Sequence, residues 1–378
     1  MVGHGAAYQI KAAVVREKSG PFVVEAVDLS EPRDDEVLVD IVATGVCHTD
    51  IGVRDQSYPV PLPAVLGHEG AGFVRKVGRS VTKVAPGDRV ILTYDFCGVC
   101  ENCQQGQPGF CREFYARNLS GARPDGSSAL SMSGRTISGC FFCQSSFAEK
   151  AIASERNVVK IPSDVPIELM GPLGCGIQTG AGAVINALAP RAGSSIAVFG
   201  AGAVGLSAIM AAKIVGCTTI IAIDINDSRL ALARELGATH AINGSKADAV
   251  AEIQAITNGG ARYSLECTSV PRVFRQAVDC LQIPGTCGLI GAAPLGVEVS
   301  FQMSTILFGR SIQGIMQGDC VPDVFVPKLI EFWRAGLFPF DKLTRLYPIA
   351  QINDAIHAAE TGAVVKPIVV FRSANDHA

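Results

Sequence analysis

A glycine-rich turn between a strand pattern and a helix pattern most restricts the fold of this chain. Ser195–Phe199 is a short apolar run, Gly200-Ala-Gly202-Ala-Val-Gly205 follows it, and Ala203–Val215 has the composition of a helix. In such a turn the first glycine permits the tight bend and the second lets a pyrophosphate approach the backbone. The third lets helix and strand pack closely. The motif predicts the first βα unit of a dinucleotide-binding domain.

A second apolar run supports this interpretation. Thr219–Asp224 has the pattern of the next strand, and it ends in a carboxylate about twenty positions after Gly205, where an acidic residue binds the adenosine ribose. A carboxylate there repels a 2′-phosphate and predicts NAD, although Arg229 nearby leaves NADP open. Two alternatives are a glycine-rich turn without function and a membrane span, since Ser194–Ala212 carries no charge. The split into strand and helix argues against both.

Strand and helix patterns continue to alternate after Asp224. The predicted helices are Ser228–Leu236, Ala247–Thr257 and Pro271–Leu281, and the predicted strands are Tyr263–Cys267, Thr286–Ile290 and Ser311–Ile315. Such alternation predicts an α/β fold with a doubly wound parallel sheet. Before residue 160 the apolar runs are short and lie between turns rich in Gly, Pro and Asp, which is an all-β pattern. A helix over Gln351–Glu360 and a strand over Lys366–Phe371 are predicted near the end.

Four cysteines with narrow spacing indicate a metal site. Cys97, Cys100, Cys103 and Cys111 follow the pattern C-x2-C-x2-C-x7-C. Four thiolates in one short loop are typical of a closed tetrahedral zinc site. Cys140 and Cys143 form a further pair, but the two phenylalanines between them predict a core strand, where neighbouring ligands point to opposite faces.

A second set of metal-ligating residues is spread along the chain. Cys47 lies in CHTD, His68 in LGHEG and Cys175 in GPLGCG. Two cysteines and one histidine give zinc three protein ligands and leave a fourth position open, which is the catalytic pattern. The alternative is that both cysteines are small buried hydrophobic residues.

Length, charge and cysteine content limit the number of domains, the possible partners and the cell compartment. The 378 residues are enough for about two domains. The formal net charge of −3, without a basic run, makes nucleic acid an unexpected partner. The first eight residues lack the charged segment and the following apolar segment of an export signal. The thirteen cysteines, with their metal-like spacing, favour reduced thiols over disulfides. We therefore expect a cytoplasmic protein without a membrane partner.

Together these motifs resemble the zinc-containing medium-chain alcohol dehydrogenases. GHEGAG at 67–72, the four-cysteine loop, GPLGCG at 171–176 and GAGAVG at 200–205 occur in that family's order, over nearly the whole chain. RDQSYPVPLPAVLGHEG after CHTD, QSSFA at 144–148, GPLGCGIQTGAG at 171–182 and FPFDKL at 338–343 resemble bacterial aryl-alcohol dehydrogenases. The resemblance implies a GroES-like, β-rich catalytic domain at 1–178, a Rossmann NAD domain at 179–320 and a return to the catalytic domain at 321–378.

The resemblance also implies roles for single residues. It implies a catalytic zinc on Cys47, His68 and Cys175 and a structural zinc on the four-cysteine loop. Thr49 would relay the proton and Asp50 would orient His68. Glu69 would lie next to the zinc ligands without binding the ion, or would serve as an occasional ligand. The expected cofactor-binding residues are His48, Thr179, Gly200, Gly202, Val204, Gly205, Asp224, Arg229 and Lys366.

Several of these positions have plainer explanations. Thr49 fits a helix cap, His48 an exposed loop histidine, and Lys366 a solvated surface lysine. Gly52 stands where some relatives have a histidine that completes the proton relay, so the route of proton exit is open. His240 is predicted to lie in a loop and to be structural.

The resulting prediction is reversible, NAD-dependent oxidation of primary aromatic or allylic alcohols to aldehydes. The same chemistry on aliphatic or terpenoid alcohols, or on S-hydroxymethylglutathione, is the alternative. A non-catalytic protein that binds nucleotide or zinc is the alternative from a different class. The resemblance further implies a homo-oligomer, with a tetramer favoured over a dimer.

Overall fold

The computed structural model describes residues 7–371, so most of the first eight residues, which contributed to the prediction of a cytoplasmic protein, lie outside the described range. The chain divides into two compact units. Within the described range, the β-rich unit comprises residues 7–175, 321–327 and 341–371, and the parallel-sheet unit comprises 176–320 and 328–340. The domain limits 1–178, 179–320 and 321–378 stay a prediction. Among the described residues, no helix combines the length and apolar character needed to cross a membrane.

Short strands dominate the first part of the chain, as its composition predicts. The strands are β1 Tyr8–Val15, β2 Phe22–Leu29, β3 Glu36–Gly45, β4 Ala64–Val65, β5 Gly70–Val77, β6 Arg89–Leu92, β7 Leu130–Met132, β8 Arg135–Thr136, β9 Lys150–Ser154 and β10 Val158–Lys160. The α-helices among them are α1 His48–Arg54, α2 Glu101–Gln104, α3 Phe114–Asn118 and α4 Ile167–Met170. Short 3-10 turns cover Pro108–Phe110, Phe141–Cys143, Glu155–Asn157 and Gly171–Gly174.

The parallel-sheet unit contains the predicted alternation. Its strands are β11 Ser195–Phe199, β12 Thr219–Asp224, β13 His240–Asn243, β14 Ala261–Glu266, β15 Leu281–Leu289 and β16 Arg310–Gly314. Its helices are α5 Gly176–Gly182, continued by a π-helical segment Ala183–Leu188, α6 Ala203–Ile214, α7 Asp227–Leu236, α8 Ala249–Thr257, α9 Pro271–Asp279 and α10 Met303–Leu307. All strand pairs are parallel, in the order β13-β12-β11-β14-β15-β16. This is the doubly wound dinucleotide-binding order.

The last part of the chain returns to the β-rich unit. A 3-10 turn at Gln317–Asp319 precedes α11 Pro322–Arg334, which begins in the β-rich unit and continues into residues of the parallel-sheet unit. After a 3-10 turn at Phe340–Leu343 come β17 Thr344–Pro348, a 3-10 turn at Ile349–Gln351, α12 Ile352–Glu360 and β18 Lys366–Val370. Strand β18 pairs antiparallel with β3, opposite residues 43–45. It thereby joins a sheet ordered β10-β6-β5-β3-β18-β17, with β9 also on β3. A second sheet of the unit has the order β4-β1-β2-β7-β8.

Two local predictions are wrong. The segment Cys140–Cys143 is buried as expected, but it forms a 3-10 turn with left-handed residues instead of a core strand. His240 begins β13 rather than lying in a loop, and it is exposed. The strand was missed because the sequence His-Ala-Ile-Asn of this edge strand has polar ends and only one buried residue.

Candidate active site

Three distant segments of the β-rich unit bring the proposed catalytic ligands together. Ligand atoms of Cys47, His68, Glu69 and Cys175 all lie within 4.8 Å of one another. Cys47 follows β3 and precedes α1, His68 and Glu69 lead into β5, and Cys175 follows the turn Gly171–Gly174. The separation of these atoms suits one shared ion.

Two glycines allow the Cys175 turn to approach the other segments. A Cβ on Gly171 would lie 2.1 Å from the carbonyl oxygen of Glu69, and a Cβ on Gly174 would lie 2.2 Å from that of Leu92. Because no side chain fits against a backbone at that distance, only glycine permits this approach. The glycines of GPLGCG therefore bring Cys175 next to the His68 segment.

Asp50 fixes the orientation of the His68 ring. Its Oδ1 atom lies 2.9 Å from Nδ1 of His68 and accepts a hydrogen bond from the backbone N–H of Gly67 at 3.0 Å. Its Oδ2 atom accepts from the N–H of Cys47 at 2.9 Å. Both Asp50 and His68 are fully buried. The carboxylate thus connects two ligand segments, and it directs Nδ1 away from the sulfur atoms.

The remaining ring nitrogen is free to bind a metal. Within residues 7–371, Nε2 of His68 is buried without a hydrogen-bond partner. A hydrogen bond with Cys175 holds the pKa of the Cys47 thiol well below its usual value, with a further contribution from His68, although burial opposes this shift. The same bond and burial raise the pKa of Cys175. A buried imidazole nitrogen beside two sulfur atoms fits the donor set of zinc.

Glu69 and Lys366 form a buried ion pair beside these ligands. The Nζ atom of Lys366 lies 2.8 and 3.0 Å from the two carboxylate oxygens of Glu69, and it donates to the carbonyl oxygen of Val46 at 3.1 Å. Burial raises the pKa of Glu69 against the opposing effect of Lys366, and the neighbouring anionic groups raise the pKa of Lys366 despite its burial. Lys366 is only 2% exposed, so the surface-lysine alternative is wrong. Its contact with the pyrophosphate stays a prediction.

Thr49 and His48 lie at the start of α1. The N-cap of this helix is Cys47, so the helix-cap explanation of Thr49 is wrong. The Oγ1 atom of Thr49 lies 3.7 Å from Sγ of Cys47, and the residue is partly exposed. His48 is exposed, which agrees both with the predicted contact to the cofactor and with the alternative of an exposed loop histidine. The hydroxyl of Thr49 therefore lies next to the ligand group, in a residue that solvent can partly reach.

Two aromatic rings that the sequence analysis assigned only to the core contact His68. The Phe142 ring stacks on the imidazole, with centroids 4.5 Å apart and planes at 24°, and Phe141 meets it edge-on at 5.3 Å. The run Cys140–Cys143 showed aromatic character, but nothing in its local pattern indicated a contact with residue 68.

The four-cysteine loop forms a second, separate group. The Sγ atoms of Cys97, Cys100, Cys103 and Cys111 lie within 4.8 Å of one another. Backbone N–H groups point at the sulfurs, from Cys100 to Cys97 at 3.2 Å and from Cys97 to Cys111 at 3.3 Å. Because such N–H groups stabilise thiolates, the loop fits a closed zinc site.

The glycine motif of the parallel-sheet unit has the geometry that dinucleotide binding requires. Gly200 has a φ of +96°, and a Cβ on Gly205 would lie 1.8 Å from the carbonyl oxygen of Gly200. A Cβ on Gly202 would meet nothing within 4 Å, which leaves room for a ligand above the turn. The two carboxylate oxygens of Asp224 accept from Ala201 N–H at 2.7 Å and from Asn226 N–H at 2.9 Å. These residues fit the adenosine end of a dinucleotide.

Three further cofactor candidates lie in the helices of the same unit. Thr179 is buried in α5 and Val204 lies in the first turn of α6. The two helices are in close contact, because a Cβ on Gly180 would lie 1.9 Å from the carbonyl oxygen of Val204. Arg229 lies in the first turn of α7, and its buried Nε has no hydrogen-bond partner within the described part of the chain. Their contacts with a cofactor stay predictions.

Two family models match most of the chain. The family described as "Alcohol dehydrogenase GroES-like domain" matches residues 33–163, and the family described as "Zinc-binding dehydrogenase" matches residues 203–333. The first range overlaps the all-β pattern and the second overlaps the alternating pattern.

Relatives of similar length share about half of the residues. Geraniol dehydrogenase of Castellaniella defragrans is 47% identical over 364 residues, which are 96% of this chain and 97% of the relative. The crystal structure of benzyl alcohol dehydrogenase from Acinetobacter calcoaceticus is 48% identical with a TM-score of 0.94, over 97% of this chain and 100% of that one. An alcohol dehydrogenase zinc-binding domain protein from Burkholderia ambifaria is 53% identical with a TM-score of 0.95, over 97% and 99%. The chain therefore belongs to the zinc-dependent medium-chain alcohol dehydrogenases, with a GroES-like domain and a Rossmann domain.

Proposed function

We propose that this enzyme oxidises primary alcohols whose hydroxymethyl carbon adjoins an aromatic ring or a carbon–carbon double bond, with NAD as hydride acceptor. The proposal includes two zinc ions per chain. One is held by Cys47, His68 and Cys175, and the other is held by the four-cysteine loop.

An aromatic cluster beside the ligand group carries the proposal. Phe142, which stacks on His68, meets Phe114 at a centroid distance of 6.3 Å, and Phe114 meets Tyr94 at 5.8 Å. Tyr94 and Phe142 are almost fully buried. Rings of this kind favour contact with a planar π system. They support an unsaturated substrate over a short aliphatic one.

The relatives support the same substrate class. By their names, one acts on benzyl alcohol and another on geraniol, and both compounds are primary alcohols with an unsaturated carbon next to the hydroxymethyl group. Oxidation of either gives an aldehyde conjugated with that unsaturated group. We infer that this shared feature, rather than an aromatic ring alone, is what the active site selects.

The residues of the β-rich unit have distinct tasks in this reaction. When bound, zinc supplies Lewis acidity toward the alcohol oxygen and NAD accepts the hydride. Thr49 Oγ1 accepts the alcohol proton and passes its own proton on, because a hydroxyl both accepts and donates. Asp50 keeps Nδ1 of His68 hydrogen-bonded, so that Nε2 faces the cysteines. Lys366 balances the charge of Glu69 inside the protein.

A substrate panel tests this proposal. We expect kcat/KM for benzyl alcohol, cinnamyl alcohol and geraniol to exceed that for ethanol and cyclohexylmethanol by about 10- to 100-fold, the range that differences of 1–3 kcal/mol in pocket contacts produce. Cyclohexylmethanol matches benzyl alcohol in size and lacks its π system. A terpenoid enzyme would prefer geraniol and reject benzyl alcohol, and equal efficiency on all five alcohols would contradict the proposal.

The preference for NAD is expected to depend on Asp224. Replacing Asp224 with asparagine leaves one acceptor oxygen for only one of the two backbone N–H groups, removes the charge and weakens the acceptors for the ribose hydroxyls. Loss of charge-assisted hydrogen bonds costs about 1.5–3 kcal/mol, which corresponds to a fall of about 10- to 100-fold in kcat/KM for NAD. Steady-state kinetics with both coenzymes measure this change. An unchanged ratio of NAD to NADP efficiency would mean that Asp224 does not face the ribose.

We further propose a cytoplasmic homotetramer. Residues 301–315 support self-association, because Met303, Leu307 and Phe308 are exposed by 89%, 78% and 61%. Apolar side chains exposed together in this way mark interaction sites more often than free surface.

A further inference from the structure

A buried glutamine outside the proposed ligand set holds the backbone around Glu69. The Oε1 atom of Gln144 accepts a hydrogen bond from the N–H of Gly70 at 3.1 Å, and Nε2 donates to the carbonyl oxygen of His68 at 3.0 Å. Nε2 also donates to the carbonyl oxygen of Thr93 at 3.1 Å. Gln144 is only 2% exposed. Its amide therefore connects the His68 segment with the end of β6.

The connection continues to the segment that carries Cys175. The hydroxyl of Thr93 donates to the carbonyl oxygen of Gly174 at 2.6 Å, one residue before Cys175. Gln144 and Thr93 thus form an unbroken series of buried hydrogen bonds between the backbone at His68 and the backbone at Gly174. Buried networks of this kind stiffen the segments that they join.

The turn that presents Gln144 is strained. Cys140, Phe142, Cys143 and Ser145 have φ values of +68°, +49°, +50° and +48°, although none of them is glycine. Side chains disfavour this left-handed region, so surrounding bonds must hold the turn in place. Asn157 does so by donating to the carbonyl oxygens of Phe142 at 3.0 Å and of Cys143 at 3.2 Å. Strain that is held in this way clusters at functional sites.

We propose that Gln144 is a positioning residue for the catalytic zinc ligands. Through the backbone of His68, and through Thr93 to Gly174, it keeps Nε2 of His68 and Sγ of Cys175 at the separation that one ion needs. The same strained turn contains Phe142, whose ring stacks on the imidazole face of His68. The inference rests on the proposed function, since it takes His68 and Cys175 as zinc ligands.

The chain offers a matched control for this idea. Asn118 is also fully buried, and its amide also makes three hydrogen bonds to backbone, accepting from Asp95 N–H at 2.8 Å and donating to the carbonyl oxygens of Asp95 at 2.9 Å and Phe114 at 2.8 Å. It supports the segment before the four-cysteine loop. Loss of its amide disturbs a buried polar site of the same kind whose three bonds go to Asp95 and Phe114 rather than to the His68 segment.

The experiment compares zinc release from the purified holoenzyme and its variants in excess chelator. Gln144→Met keeps an unbranched side chain and removes all three bonds, and we expect it to release one zinc about 10-fold faster or more, the effect of losing a group that orients a ligand. The other zinc is expected to leave at the wild-type rate. After cobalt replaces the faster zinc, we expect a shifted visible absorption band. Asn118→Leu should leave that zinc and that band unchanged.

The remaining outcomes separate this inference from the proposed function. If Gln144→Met does not fold, Gln144→Glu replaces it, because a carboxylate still accepts from Gly70 N–H but donates to neither carbonyl. Wild-type release rates and an unchanged cobalt band in a folded Gln144 variant would overturn the positioning role. Equally faster release of both zinc ions would also overturn it, because that result would indicate a general loss of rigidity instead of an effect on one site. A wild-type enzyme that binds fewer than two zinc ions would instead contradict the proposed function.

Discussion

Replacing Cys175 with serine is expected to lower kcat/KM by about 10³-fold or more while the fold is retained. A serine hydroxyl is not ionised near neutral pH and is a weak zinc ligand, so the proposed catalytic zinc site loses one of its three protein donors. Lewis-acid stabilisation contributes several kcal/mol to the barrier of such reactions, and a loss of about 4 kcal/mol corresponds to that factor. Metal content should fall from two zinc ions toward one, and the circular dichroism spectrum should stay unchanged.

Cys217 provides the matched control for this substitution. Cys217 is 8% exposed and Cys175 is 7% exposed, but Cys217 lies outside both cysteine groups. Cys217→Ser therefore buries a hydroxyl in place of a thiol without touching a proposed ligand, and it should keep most of the activity and both zinc ions. A Cys175→Ser enzyme with full zinc and wild-type kcat/KM would contradict the ligand assignment.

The sequence predicted best those parts of the fold whose patterns are local. Strands Ser195–Phe199 and Thr219–Asp224 have the predicted limits, because buried parallel strands are continuous apolar runs that end at turns. The helix after Gly202 was also predicted to within one residue at its end. By contrast, the strand at His240 has little apolar character, and β15 begins at Leu281, where a helix was expected to end.

The site shows the same division between local and distant causes. Cysteine spacing and the family motifs indicated which residues to propose as metal ligands, because chelating loops have short, recognisable patterns. The pairing of Lys366 with Glu69 had no such sign, since β18 brings together residues almost three hundred positions apart in the chain. Likewise, the left-handed turn around Phe142 depends on Asn157 and Ser145, which no period of apolar residues reveals. Motifs therefore indicated the proposed ligands, whereas only the structure showed which residues support them.

The second large effect is expected on stability, from replacing Cys103 with serine. Its Sγ lies 3.5 Å from Sγ of Cys100 and 3.9 Å from that of Cys97, so the substitution removes one of four donors from the closed site. Metal binding by such a loop contributes directly to folding. A loss of about 3 kcal/mol is a modest part of the ~10–16 kcal/mol with which isolated zinc modules bind the ion. For a unit of this size it lowers Tm by roughly 6–12 °C, measurable by calorimetry.

Cys267→Ser is the matched control, because Cys103 and Cys267 are both partly exposed and Cys267 lies outside the four-cysteine group. It should change Tm by much less and keep both zinc ions. Hydrogen exchange adds the spatial test: Cys103→Ser should increase exchange over residues 97–118 while β11 and β12 of the parallel-sheet unit stay protected, since the loop belongs to the β-rich unit. If Tm and exchange in that segment matched the wild-type values, the four cysteines would not form a structural metal site, and their convergence would need another explanation.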